Sequence, residues 1–326
     1  MRIYSFTLLF IFSIIFITNS GCNHKPEYTQ EVQDRINRVE NNLAGWVQVR
    51  REPRWSLAER MAFYNIKGLS IAVVHDYKIE WAKGYGWADI SENRLVTEKT
   101  LFQAASISKS LNGIGVLKLV QDKKLDLNTD INDYLKSWKF PYDEKSNNRK
   151  ITIANLLSHT AGLNIHGFPG YSVNDSIPSL LQILDGKIPA NTEPVRSLFE
   201  PGIKVEYSGG GVTIAQQIIE DVTEQPYAVY MQKNVLDPLG MSSSFFTQPP
   251  GRKHDKVLAT GYYINGEEVK GKYHVYPEQA AAGLWTNPID LCTYIIETQL
   301  SYQGKSGKVL SPEITKLRLT PVMEDA

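Results

Sequence analysis

Apolar residues recur along this chain with two different periods, and those periods divide it into helix and strand. Val32, Ile36, Val39, Leu43 and Val47 follow one another at the spacing of one helix face, which predicts an amphipathic helix from Glu31 to Val47. Leu69 to His75 is short and β-branched and predicts a strand. Asp76-Tyr77 supplies a turn, and Lys78 to Gly84 returns as a second strand, so the two open an antiparallel sheet. From Ser106 to Val120 the residues Ile107, Leu111, Ile114, Leu117 and Val120 mark a helix expected to be buried, with Ile107 pointing into the core.

The later segments are mostly helical. Ile153 to Leu157 predicts a short helix ended by Gly162, and Ser176 to Leu184 another. Thr213 to Val222 is a strong helical pattern after the run Gly209-Gly210-Gly211, and Tyr227 to Leu236 is helical until Pro238 and Gly240 close it. Pro288 to Leu300 begins with a proline suited to the first helical position. Tyr262, Tyr263 and Ile264 lead into Asn265-Gly266, the signature of a second hairpin. There is no internal repeat and no βαβ alternation. The expected fold is α+β: an antiparallel sheet flanked by helices, with an inserted and mostly helical region.

The N-terminus follows a different logic. Arg2 precedes an almost wholly apolar run from Ile3 to Ile17, then Thr18-Asn19-Ser20-Gly21-Cys22. A basic start, a short apolar core and small residues describe a secretory signal. The run is shorter than the roughly 20 apolar residues that span a bilayer. Ser20-Gly21 before Cys22 resembles a bacterial lipobox, although Asn19 stands where an aliphatic residue is usual. Residues 1–22 are therefore expected to be a signal ending at a lipidated Cys22, residues 23–30 a tether, and residues 31–326 one domain. The expected location is the cell envelope, as a lipoprotein facing the periplasm or the outer surface.

Composition narrows the chemistry. Of 326 residues, 42% are hydrophobic and 21% charged, which is a globular profile. Lysine plus arginine equal aspartate plus glutamate at 35 each, so no general field draws nucleic acid to the chain. The two cysteines, Cys22 and Cys292, make no disulfide framework and no CxxC pair, and the six histidines include no HExxH. No metal or other cofactor is expected.

The sharpest local feature is Ser106-Ile107-Ser108-Lys109. Residues three apart lie one above the other on a helix, so Ser106 and Lys109 can touch. A serine hydroxyl needs a neighbouring base, and an amine serves once desolvation or nearby positive charge favours its neutral form. Alone the spacing is equally that of a serine N-cap followed by a surface lysine.

Context adds Gly84-Tyr-Gly-Trp-Ala-Asp89 and Phe102-Gln-Ala-Ala-Ser106 around the first motif, then Ile151 to Leu163 with its Leu-Leu-Ser-His-Thr core. Further on come Pro201-Gly202, Tyr207-Ser208-Gly209-Gly210-Gly211, and Ala281-Ala-Gly-Leu-Trp-Thr-Asn-Pro-Ile-Asp-Leu291. This ordered set, covering roughly Lys67 to Leu291, resembles the serine β-lactamase and penicillin-binding protein superfamily. The branch it is most similar to is the class C β-lactamase-related one, which holds D-aminopeptidases, carboxypeptidases and esterases.

The resemblance implies an acyl-enzyme on Ser106, with Lys109 and Tyr207 moving its proton, and substrates that are β-lactams, D-amino acid peptides or small esters. Gly209 falls where the family's Tyr-x-Asn motif places a substrate-contacting asparagine. That departure shifts the expectation from peptides and β-lactams toward small esters. The implied partner is a small molecule or a peptidoglycan-derived peptide, with the membrane reached through Cys22. His159-Thr-Ala-Gly162 looks like a displaced third motif, but as part of the Leu-Leu-Ser-His-Thr segment His159 is expected to be structural.

The family's third motif, Lys-Thr-Gly or His-x-Gly on a late strand, has no counterpart after Leu291. The domain is accordingly expected to be incomplete at its C-terminus, lacking its last strands. The alternative is a degenerate envelope binding protein that keeps the fold and has weak or no activity. Trp81, Trp87, Tyr171 and Trp285 are expected to pack in the core rather than line a cleft.

Overall fold

The computed structural model describes residues 28–47 and 53–323. The apolar run from Ile3 to Ile17, Cys22 and most of the tether lie outside the described residues. In chain order, helices α1 (Gln30–Asn41) and α2 (Leu57–Phe63) precede strands β1 (Gly68–His75), β2 (Lys78–Asp89), β3 (Arg94–Leu95) and β4 (Phe102–Gln103). The helical region follows, with α3 (Ile107–Gln121), α4 (Ile131–Tyr134), α5 (Ile153–Leu157), β5 (Tyr171–Ser172) and α6 (Leu180–Asp185). It continues through α7 (Gly209–Thr223), α8 (Tyr227–Met231), a π-turn over Gln232–Leu236 and α9 (Asp237–Leu239). Then come β6 (His274–Val275), α10 (Gln279–Ala282), β7 (Trp285–Thr286), α11 (Pro288–Tyr302) and α12 (Pro312–Arg318).

The expected hairpin is β1–β2, antiparallel, with Asp76 and Tyr77 both at positive φ (48° and 60°). That backbone twist matches the right-handed twist of the strands it joins. β2 does not end at Gly84 but runs on to Asp89. A Cβ on Gly84 would lie 2.3 Å from the Val96 carbonyl, so this glycine admits a neighbouring backbone rather than ending the strand. β3 completes a sheet in the order β1-β2-β3, and among the described residues β1 has no strand on its other edge. Helix α11 packs against β1 and β2. Helix α1 is tied to β2 by Arg35–Glu80 at 2.8 Å and Lys83–Glu40 at 2.6 Å.

Helix α1 stops at Asn41, short of the expected Val47. The Asn41 and Asn42 side chains turn back onto the Asn37 and Arg38 carbonyls, the local bonding by which asparagine competes with helix continuation. Leu43 then bridges to Trp55 instead of extending the helical face. Helix α6 likewise begins at Leu180, because Ser179 and Gln182 form a capping box just past Pro178. Tyr262 pairs with Glu268 across the Asn265-Gly266 turn, as the sequence predicts.

The large core joins Leu111, Ile114 and Leu119 of α3 to Ile214, Ile218 and Ile219 of α7 and to Tyr230 and Met231 of α8. Helix α3 is buried as expected, but Ile107 is not: it is 45% exposed. The inward residue of that turn is Ser108, fully buried, whose hydroxyl donates to the Ala105 carbonyl (2.6 Å) and accepts from the Leu284 N–H (3.0 Å). The helix enters with its first turn at the site mouth, so Ile107 faces solvent while Ser108 pins the chain. Trp81, Tyr171 and Trp285 are buried, whereas Trp87 is partly exposed.

Asp89, the last residue of β2, is fully buried. It accepts hydrogen bonds from Lys272 Nζ, Thr260 Oγ1, Ser91 Oγ and the Glu92 N–H. Burial pushes its carboxyl up, but Lys272 and the other donors outweigh that and hold it well below the usual carboxylate range.

Candidate active site

The ribbon β4–β7 delivers the chain to Ser106. Ala104 donates its N–H to the Leu284 carbonyl, and Ala105 then takes a left-handed φ of 43°, uncommon for a residue with a side chain. Such local strain persists only where surrounding structure enforces it. Ser106 is the N-cap of α3, yet its side chain makes no capping bond. The capping alternative to the sequence motif is therefore not the one adopted, and the hydroxyl is left for other partners.

Those partners are Lys109 and Tyr207. Lys109 Nζ donates to Ser106 Oγ at 3.0 Å, and Tyr207 OH donates to the same oxygen at 2.9 Å. Lys109 also donates to the Ala281 carbonyl at 2.8 Å, so α10 fixes the amine that α3 supplies. The ammonium stands 5.1 Å from the Tyr207 ring centroid. Partial burial pushes the Tyr207 phenol up, but bonding to Lys109 and Ser106 and the Lys109 charge bring it below its ordinary value. A residue a hundred positions away along the chain thus joins the helical pair. When either Lys109 or Tyr207 is deprotonated, the Ser106 proton has a base within hydrogen-bond distance.

Tyr207 is held by His159. The His159 carbonyl accepts the Glu206 N–H at 2.7 Å, and His159 Nδ1 accepts the Ser208 N–H at 3.2 Å. Its ring lies 4.6 Å from that of Tyr207, tilted by 35°. His159 therefore grips the residues on both sides of the phenol and packs against the phenol itself. Burial, then the Lys109 charge, lowers the His159 pKa, which favours the neutral imidazole that an acceptor at Nδ1 requires. The one signal in the sequence was the Leu-Leu-Ser-His-Thr segment, and no local pattern ties it to Tyr207.

Gly209 is engaged with other parts of the chain. It is buried, its N–H donates to the His166 carbonyl, and its carbonyl accepts from Thr213 Oγ1. A Cβ there would stand 3.0 Å from the His166 oxygen and 3.1 Å from the Phe168 ring, so the His166–Phe168 loop fills the space an asparagine side chain would take. Helix α7 begins at Gly209 rather than Thr213, and Ser208 caps it through Oγ to the Gly211 N–H. The N–H groups of Gly209, Gly210 and Gly211 are all bonded within the protein.

Comparison with known proteins concerns the chain as a whole. The family model described as Beta-lactamase matches residues 56–323. Among curated proteins the chain is similar to Protein flp of Staphylococcus aureus, 30% identical over 212 residues that cover 62% of this chain and 39% of that protein. It is similar also to the Unguisins hydrolase ungD' of Aspergillus campestris, 30% identical over 206 residues, 62% of this chain and 37% of that one. The chain thus spans about two fifths of the length of these relatives. Among solved structures, the octameric penicillin-binding protein homologue from Pyrococcus abyssi superposes with a TM-score of 0.61 at 24% identity, covering 80% of this chain and 57% of that chain. FmtA from Staphylococcus aureus gives a TM-score of 0.61 at 21% identity, covering 88% and 75%. Both share the mixed α/β fold described above.

Proposed function

This chain belongs to the beta-lactamase family, and from that premise we propose that it is a serine hydrolase that opens ester or amide bonds through an acyl-enzyme on Ser106. The observation that carries the reading is the convergence of Lys109 Nζ and Tyr207 OH on one hydroxyl oxygen. Ser106 Oγ attacks the substrate carbonyl while its proton passes to the Tyr207–Lys109 pair, which returns it to the departing alcohol or amine. Water then cleaves the acyl-enzyme by the reverse relay. The backbone N–H of Ser106 has no acceptor among the described residues and is placed at a helix start, which supports a role in binding the developing oxyanion.

Esters are favoured over peptides and β-lactams, because Gly209 offers no side-chain amide and both of its backbone groups are engaged. The segment from Arg2 to Cys22 supports export and a lipid anchor, and a Cys22→Ala variant that still incorporates labelled palmitate refutes that anchor.

Labelling with a fluorophosphonate and with a tagged penicillin tests the reaction. The fluorophosphonate is expected to modify the wild type at Ser106 and to leave Ser106→Ala unlabelled. A folded wild type that takes neither label nor turns over any ester overturns the proposal and favours a non-catalytic binding protein. Substrate binding that survives Ser106→Ala without turnover in the wild type favours a sensor of cell-wall fragments.

A further inference from the structure

A cavity of about 530 Å³ has Lys109, the hydrogen-bond partner of Ser106, and His159 on its wall. The remaining wall is predominantly apolar, with Leu117 of α3, Leu157 of α5, Val205, Val212 of α7 and Leu317 of α12. Its size is that of a small-molecule site.

Gly113, also on the wall, supplies a second observation. It lies in the middle of α3, where glycine is less favourable than alanine. Gly115, two residues on, has a packing reason to be glycine, since a Cβ there would meet Met231 Sδ at 2.6 Å. Gly113 has none: a Cβ built on it meets nothing within 4 Å. The missing side chain opens space toward the cavity instead of admitting another element. Gly113 stands about two turns, roughly 10 Å, along the helix axis from Ser106. An acetyl group on Ser106 stops short of it, and a medium-length acyl chain reaches it.

We propose that this cavity receives the apolar acyl chain of the substrate whose carbonyl Ser106 attacks, so that the preferred substrates are esters of medium-chain carboxylic acids. The inference rests on the acyl-enzyme reading above and names its substrate class. The Ser106 Oγ–acyl bond forms as the ester C–O bond breaks. The serine proton leaves with the alcohol, and water afterwards releases the free carboxylic acid. During that cycle the tail remains against Leu117, Leu157 and Val212 while the carbonyl remains at Ser106.

The test is the ratio of kcat/KM for p-nitrophenyl octanoate to that for p-nitrophenyl acetate, in the wild type, Gly113→Ala and Gly113→Leu. The wild type is expected to prefer octanoate by about tenfold or more, and Gly113→Leu, which fills the cavity, to reduce that ratio by about tenfold. Gly113→Ala, favoured in a helix and small, is expected to shift the ratio less. Should Gly113→Leu fail to fold, sodium octanoate as an inhibitor of acetate turnover by the wild type carries the same test, with competition expected. A flat ratio in the wild type, an unaltered ratio in a folded Gly113→Leu, or no competition by octanoate overturns the proposal. Fluorophosphonate labelling of Ser106 in the same samples separates the two readings. Labelled enzyme with no chain-length preference sinks the cavity assignment alone, whereas unlabelled, inactive enzyme sinks the acyl-enzyme reading and this one with it.

Discussion

His159 and Tyr207 come from segments distant in sequence, yet their rings pack with centroids 4.6 Å apart, and His159 also binds the backbone on either side of the phenol. The phenol that reaches Ser106 is therefore aimed by the imidazole packed against its ring.

Replacing His159 by alanine is expected to lower kcat by about a hundredfold with a smaller change in KM, since misplacing one reacting group by an ångström costs that much. The pH profile distinguishes positioning from bulk structure. Below its ordinary pKa near 6.5, and later because its own value is lowered, His159 gains a proton at the Nδ1 that must accept from Ser208. Wild-type activity is expected to fall on that acid limb. His159→Asn, which keeps an acceptor near the Nδ1 position, is expected to recover part of the alanine loss and to lack the histidine's share of the limb.

Gly209→Asn is expected to destabilise the fold by about 1–3 kcal/mol, the usual range for overpacking. The new side chain meets the His166 carbonyl and the Phe168 ring, both closer than ordinary contact. Thermal melts check the loss. A variant as stable as the wild type, with new activity on a β-lactam, shows that the loop yields and that the family's asparagine site is intact beneath it.

Asp89→Ala is expected to destabilise by about 3 kcal/mol, because four donors lose a buried carboxylate, and of these Lys272 keeps only its bond to Glu92. The sign with pH follows from its depressed pKa. The unfolded chain binds a proton at the ordinary value of 3.8 while the folded chain resists it, so the contribution is present above 3.8 and is lost as pH falls through and below it. The gap in denaturant midpoint between wild type and variant is expected to be smaller at pH 3 than at pH 7 and to keep shrinking at lower pH.

Glu278 behaves in the opposite way. It is fully buried, neither carboxylate oxygen has a partner from another residue among the described residues, and burial pushes its carboxyl up to about 7. Between the ordinary 4.5 and about 7 the folded state binds the extra proton, so stability falls as pH rises through that window and then levels off. Glu278→Gln is expected to match the wild type near pH 4.5 and to exceed it above pH 7 by on the order of 3 kcal/mol. Melting temperatures that stay parallel across this range refute an ionisable burden at Glu278.

The sequence by itself determined the elements whose cause is local. Period and β-branching fixed the β1–β2 hairpin, and the Ser-x-x-Lys spacing fixed the contact of Ser106 with Lys109, since one helical turn brings them together whatever surrounds them. Tertiary structure decided everything that depends on distant segments meeting. It ended α1 at Asn41, turned Ser108 rather than Ile107 inward, and carried β2 past Gly84 because a neighbouring backbone lies against it. It also set His159 behind Tyr207, closed the His166–Phe168 loop over Gly209, and left the space beside Gly113 open. Residue type and spacing encode what one helix or hairpin does, whereas direction of burial, close approach and empty volume are properties of how such pieces pack together.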